Sequence, residues 1–165
     1  MQAKNCRQPV PYEIGMPSNY YLQIANTPAT MIRMIDAVRP DLYDTKLEED
    51  RFTLKESIAH LADLEQTWLD RITAAVEYPG KEVENFDEEA RSIEHNYAAK
   101  DIHHELEVFE NRRRDTVDYL LRLAEDDWSL TILHPKLGEL TVLQIVQVIT
   151  GHDMYHINQV SHYLK

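Results

Sequence analysis

The chain has one cysteine and four glycines among its 165 residues, and each scarcity narrows the possible folds. With Cys6 alone, no disulfide bond can form within the chain. Four glycines together with long amphipathic runs indicate helices rather than strands and turns. Apolar runs stay well short of the roughly 20 residues that a membrane-spanning helix requires.

Basic residues are also few: the chain has 17 Lys and Arg against 29 Asp and Glu, which gives a net charge of −12. Binding to a nucleic-acid backbone needs a basic surface, so we expect no nucleic acid and no anionic membrane as partner. Residues 1–15 contain no apolar stretch suited to a signal peptide, which predicts a cytoplasmic protein.

The distribution of apolar residues predicts one all-α domain. Residues 1–17 carry three prolines and are expected to form an extended N-terminal arm, whereas residues 18–165 form the domain. Long helices are predicted at about 18–38, 54–77, 102–124 and 141–165, with a short extra helix at about 87–97. Four such helices form a four-helix bundle. The stretch from Trp128 to Leu140 is predicted to be a long, ordered connection rather than a helix.

Capping signals mark the starts of two of these helices. Thr53 with Glu56, and Thr141 with Gln144, have the spacing of a capping box, in which each side chain satisfies the other residue's backbone amide. Pro28 indicates a kink or a fresh helix start within the first helical region.

Three histidines interrupt apolar helix faces. His152 and His156 lie on the apolar stripe of the last helix, and residues four apart point within about 40° of each other. His60 lies at the edge of the inner face of the second helix, and antiparallel pairing would bring all three to similar depth. Three neutral imidazoles suit zinc, nickel or another divalent metal. Three ligands leave a position for water or substrate.

Polar residues near these histidines are candidates for supporting roles. A metal-bound imidazole usually donates its second N–H to a carboxylate or carbonyl, so Asp153 or Gln159 could accept that proton or position water. Asp63 is a candidate general base or partner of His60. For Asp153 the alternatives are a solvent-facing position and an ordinary salt bridge. Arg113 interrupts another apolar stripe. A buried guanidinium there would hold a carboxylate or an acidic group of a thiol cofactor by a two-point contact, but we expect it to reach the surface.

Three stretches resemble the DinB/YfiT-like superfamily of metalloenzymes over residues 18–165. FTLKESIAHLADLEQTW is similar to its second-helix motif, HPKLGELT to the segment before its last helix, and GHDMYHINQV to its H-x-x-x-H motif. The resemblance carries His60, His152 and His156 over as metal ligands. Phe52 is a departure, because many relatives have Trp there.

The resemblance implies a four-helix bundle, a divalent metal site and, in many members, a homodimer. Members of known activity are mostly S-transferases that use a low-molecular-weight thiol, and others are described as metal-dependent hydrolases. We therefore predict a thiol-dependent S-transferase or a hydrolase acting on a small-molecule substrate. The alternatives are a non-catalytic stress-response binding module with a structural or vestigial metal site, and an acidic interaction domain without a metal.

Overall fold

The first helical region is divided in two. The computed structural model describes residues 18–49, 51–85 and 87–164, and it begins with α1 (Ser18–Ala25) and α2 (Thr27–Asp36). Pro28 occupies the first turn of α2, where a missing amide proton costs little because first-turn amides have no helical partner. The fresh helix start predicted here is confirmed. The predicted arm at residues 1–17 lies outside the described residues.

The longest helix, α3 (Leu54–Glu77), carries His60. Its predicted capping box is formed: the Thr53 amide donates to the Glu56 carboxylate at 2.8 Å, and the Glu56 amide donates to the Thr53 hydroxyl at 3.2 Å. These bonds satisfy two amides that would otherwise lack partners. The local sequence therefore fixes where α3 begins, and with it the height of His60 in the bundle.

Three further helices follow, namely α4 (Glu88–Glu94), α5 (Ile102–Leu120) and α6 (Val142–Ser161). The carboxylates of Asp87 and Asp101 cap α4 and α5 by accepting backbone amides at 2.9 and 2.8 Å. Thr141 and Gln144 form the second predicted capping box at the start of α6. Short 3-10 turns lie at Pro40–Leu42, Tyr97–Ala99, Glu125–Ser129 and His162–Leu164.

The ordered connection predicted before α6 contains strands that the sequence analysis did not predict, and they belong to a small sheet. It contains β1 (Lys81–Glu82), β2 (Thr131–His134) and β3 (Gly138–Thr141), in the order β1-β2-β3. β1 runs parallel to β2, and β2 pairs antiparallel with β3. Ile132 and His134 are buried whereas Leu133 is exposed, which is the alternation of a half-buried strand. Gly138 permits the turn because its φ is +75°.

Two apolar clusters form the core of the bundle. The first joins α2, the start of α3, the start of α5 and the end of α6, and includes Met31, Ile58, Leu106, Phe109 and Val160. The second joins α1, the end of α3, the end of α5 and the start of α6, and includes Ile24, Ile72, Leu120, Ile145 and Ile149. Because α3 and α6 enter these clusters in opposite order, they run antiparallel. Across the described residues, no helix is long and apolar enough to cross a membrane.

Candidate metal centre

Three imidazoles converge between α3 and α6. His152 Nε2 lies 3.1 Å from His60 Nε2 and 3.2 Å from His156 Nε2, and all three ligand atoms lie within 4.8 Å of one another. Within the described part of the chain, this is the one group of three histidine, cysteine or acidic side chains with such geometry. The histidines grouped from the sequence thus share one centre, and their binding of a metal stays a prediction.

Burial keeps these imidazoles neutral at physiological pH. His60 is 2% exposed and His156 is 4% exposed. Burial, reinforced by the two neighbouring histidines, lowers the pKa of His60 to about 2. Burial together with His152 lowers the pKa of His156 to about 3, and burial together with Arg113 lowers the pKa of His152 to about 4. Neutral imidazole is the form that binds a metal.

The two separations between His152 and its neighbours suit a divalent metal. A tetrahedral ion with metal–nitrogen bonds of about 2.0–2.1 Å holds its ligand atoms about 3.3 Å apart, close to the observed 3.1 and 3.2 Å. A set of imidazoles favours zinc, nickel or a similar metal over calcium and magnesium, which prefer oxygen ligands. Among the described residues the group has three members, as in catalytic zinc sites that keep one position open.

Gln159 orients one of the three imidazoles. Its Oε1 lies 3.0 Å from Nδ1 of His156 and 3.3 Å from the hydroxyl of Ser57. Since an amide oxygen only accepts, Nδ1 carries the proton and the Nε2 lone pair faces the centre. Such a contact fixes the tautomer of a metal-binding histidine. The structure therefore places Gln159 where the sequence predicted a supporting residue.

Aromatic rings surround the triad on several sides. The ring centroids are separated by 5.5, 6.2 and 5.1 Å in the pairs Phe52–His60, Trp68–His152 and Tyr155–His156. Apolar walls lower the local dielectric constant, which strengthens electrostatic interactions within the site. Phe52, the departure from the family pattern, is therefore a direct neighbour of the triad.

A cavity of about 640 Å³ opens onto the triad. Its charged lining comes from the segment before α3, which supplies Lys46, Glu49 and Arg51, and from the first turn of α4, which supplies Glu88 and Glu89. Arg51 donates to the hydroxyl of Tyr155. Arg51 and Tyr155 adjoin the histidine motifs in the sequence, whereas Glu88 and Glu89 lie far from them along the chain. A cavity of this size admits a small molecule.

Asp63 is turned toward α4 rather than toward His60. Its Oδ2 accepts hydrogen bonds from Arg91, from the Tyr97 hydroxyl at 2.6 Å and from His95 Nδ1 at 3.0 Å. Burial alone would raise the pKa of Asp63, but the bonds from Arg91 and Tyr97 bring it below its usual value. A role as general base stays a prediction, and these contacts argue against it because they make the carboxylate a weaker base.

Asp153 points into the core instead of toward the imidazoles. It pairs with Arg113, which is 2% exposed, so the expectation that Arg113 reaches the surface is wrong. Glu65 on α3 is the second partner of this guanidinium. The sequence contained a signal for this network, since charged residues interrupt the apolar stripes of α3 and α5. A supporting role for Asp153 at the metal stays a prediction.

The protein is therefore a helical bundle whose candidate metal centre is formed by histidines from two antiparallel helices. A sequence model of the DinB superfamily matches residues 23–160, a range that includes all three histidines. The chain belongs to the DinB superfamily, as its motifs indicated. A comparison with curated proteins found no match.

Solved structures share the fold. YfiT from Bacillus subtilis, described as a probable metal-dependent hydrolase with an unusual four-helix bundle topology, gives a TM-score of 0.84 at 16% identity, covering 97% of this chain and 91% of YfiT. TT2238, described as a four-helix bundle protein, gives a TM-score of 0.65 at 14% identity, covering 89% of this chain and 99% of TT2238. The predicted four-helix bundle is therefore confirmed.

Proposed function

We propose that the protein is a divalent-metal-dependent enzyme that acts on a small molecule and holds its metal with His60, His152 and His156. The observation that carries this proposal is the convergence of three neutral imidazoles beside an open cavity. Membership of the DinB superfamily and the description of YfiT as a probable metal-dependent hydrolase support it. A divalent metal bound there would supply a Lewis acid that lowers the pKa of a thiol or a water molecule.

The chain's own residues would orient and shield the reacting groups. Gln159 keeps Nε2 of His156 directed at the centre. Phe52 and Tyr155 line the cavity with aromatic surface. Arg51 lines the same cavity, where it donates to the Tyr155 hydroxyl and to the Glu48 carboxylate, so it would hold the Tyr155 ring in place beside His156.

Two reactions fit this site. In S-transfer, the sulfur of a low-molecular-weight thiol bonds to an electrophilic carbon and displaces a leaving group; in hydrolysis, a water oxygen attacks instead. The sequence resemblance favours thiol transfer, whereas the description of YfiT favours hydrolysis. The three imidazoles support both, so turnover with defined substrates has to distinguish them.

The test begins with metal analysis of protein purified without a histidine tag. Turnover is then measured with thiols plus electrophiles, and with esters and amides. His156→Ala should lose about 100-fold or more in turnover while keeping its circular dichroism spectrum, because Ala is a strong helix former. His104→Ala, at an exposed position of α5, is the matched control.

Each outcome of this test has a distinct meaning. A folded His156→Ala variant with undiminished turnover would place the chemistry elsewhere. A wild-type protein that binds metal but converts none of these substrates would favour the binding module with a structural metal. A wild-type protein that binds no divalent metal would refute the centre itself.

We also propose that two copies of the chain form a homodimer through the outer face of α6. That face consists of exposed, uncharged residues, namely Gln144, Gln147, Gly151, Met154 and Asn158. The single charged residue of α6 is the buried Asp153. Depletion of charge is the compositional mark of interface cores. Each copy carries a net charge of −12, so an uncharged face is where two copies can approach with least repulsion.

A further inference from the structure

A charged cluster lies inside the bundle, and the proposed chemistry does not use it. Nε and Nη2 of Arg113 donate to the two carboxylate oxygens of Glu65, each at 2.8 Å. Nη1 and Nη2 donate to the two oxygens of Asp153 at 2.6 and 3.0 Å. The Thr27 hydroxyl also donates to Asp153 at 2.6 Å, and the Ile24 carbonyl accepts from Arg113 at 2.7 Å. One guanidinium therefore binds two carboxylates through paired contacts.

This cluster joins the two helices that carry the histidine triad. Glu65 belongs to α3, as does His60, and Asp153 directly follows His152 on α6. Successive residues on a helix point about 100° apart, so His152 cannot turn about the helix axis unless Asp153 turns with it. Because Arg113 on α5 binds both Glu65 and Asp153, it constrains the rotation of α3 relative to α6.

Stability alone is a poor explanation for such a cluster. Burying ions is costly, and well-packed apolar residues in their place are often neutral or stabilising, whereas the best-attested use of buried ions is to fix register. The cluster lies between the two apolar clusters of the core, where apolar side chains could have continued the packing.

We infer that Arg113 is a positioning residue that, together with Glu65 and Asp153, sets the rotations of α3 and α6 at which the three histidines share one centre. The inference rests on the proposed function, since the triad must bind a metal for the effect to be measured. It predicts that the metal-free protein still folds when the cluster is removed, but that the three histidines no longer keep the geometry of the centre.

The experiment replaces the whole cluster with apolar residues in the triple variant Glu65→Leu, Arg113→Met, Asp153→Leu. Circular dichroism and thermal melting of the metal-free protein report folding. Titration with Co²⁺ against a competing chelator reports affinity, and the visible spectrum of bound Co²⁺ reports ligand geometry. We expect a folded variant whose Co²⁺ affinity falls by about tenfold to a hundredfold, with a changed spectrum. Arg114→Met, at the neighbouring exposed position, should change neither.

A second variant keeps the inference falsifiable if the triple variant does not fold. Asp153→Asn preserves side-chain shape but removes the charge, and it should lower Co²⁺ affinity in the same direction. Wild-type affinity and spectrum in the folded triple variant, or in Asp153→Asn if the triple variant fails to fold, would overturn the positioning role. A wild-type protein that binds neither Co²⁺, Zn²⁺ nor Ni²⁺ would instead refute the proposed function.

Discussion

Gln159 contacts one histidine of the proposed metal centre through its neutral side chain. Replacing it with Leu removes the acceptor for Nδ1 of His156, so the ring loses its fixed tautomer and orientation. We expect Gln159→Leu to lower metal affinity by about 10- to 100-fold, measured by competition with a chelator. Gln66→Leu on the exposed side of α3 is the matched control. Equal affinity for Gln159→Leu and wild type would contradict this role.

The buried histidines should make the metal-free protein sensitive to acid. In the folded state the pKa is about 4 for His152 and about 3 for His156, whereas an unfolded histidine titrates at about 6.5. Between these values the unfolded chain binds more protons, so the free energy of unfolding falls as the pH drops below about 6.5. The loss approaches about 1.4 kcal/mol per pH unit for each such histidine.

Urea unfolding of EDTA-treated protein at about pH 7 and about pH 5.5 measures this effect. His156→Gln should show a shallower loss of stability than wild type, by about 1 kcal/mol per pH unit, because one depressed pKa is gone. His104→Gln, which alters an exposed histidine, should follow wild type. Parallel pH dependence in all three proteins would contradict the proposed burial cost.

Two helix caps with the same chemistry lie at different distances from the triad. Thr53 caps α3 seven residues before His60, while Thr141 caps α6 eleven residues before His152. Thr53→Ala and Thr141→Ala should each cost about 1 kcal/mol of stability. Fraying of the first turn of α3 should also weaken metal binding, whereas fraying of α6 should not. Equal metal affinities in the two variants would show that the second turn of α3 is held by packing alone.

The helices were predictable because their signals are local. Helix starts are marked by capping residues whose contacts lie within one turn, namely Thr53 with Glu56, Asp101 and Thr141. β1 was not predictable because its pairing is not local: it bonds to β2 across some fifty residues of chain, as Lys81 pairs with Ile132. β2 and β3 pair locally, as His134 faces Gly138, but strands of four residues carry only a weak periodic signal. A two-residue strand has no periodicity of its own, so only the folded bundle makes it recognisable.

The residues of the candidate site also fall into those that local sequence predicts and those that depend on distant contacts. His152 and His156 were predictable because helical spacing alone brings them together, and Gln159 follows within one turn. Arg113 was misjudged because its burial depends on two carboxylates from other helices, one of them Glu65. Arg51 enters the cavity through the packing of distant segments. Sequence periodicity identifies which face of a helix points into the core, but it does not identify the residues of other helices that this face contacts.

The inward and outward faces of α6 differ in the polar residues that they carry. The inward face carries His152 and His156 beside an open cavity, and the outward face carries no charged residue. In a chain with a net charge of −12, long-range repulsion opposes self-association and weakens as salt screens it. The stability of a dimer through α6 should therefore increase with ionic strength.

Light scattering across micromolar concentrations tests this dimer. Wild type should have twice the chain mass of 19.4 kDa, whereas Met154→Glu should approach the mass of a single chain. Met154 lies on the uncharged face and is 59% exposed, so a carboxylate there would place two like charges in an interface between two copies. Leu121→Glu places the same charge on a side chain that is 54% exposed at the end of α5 and should leave the dimer intact. A monomeric wild type, or a dimeric Met154→Glu, would rule out this interface.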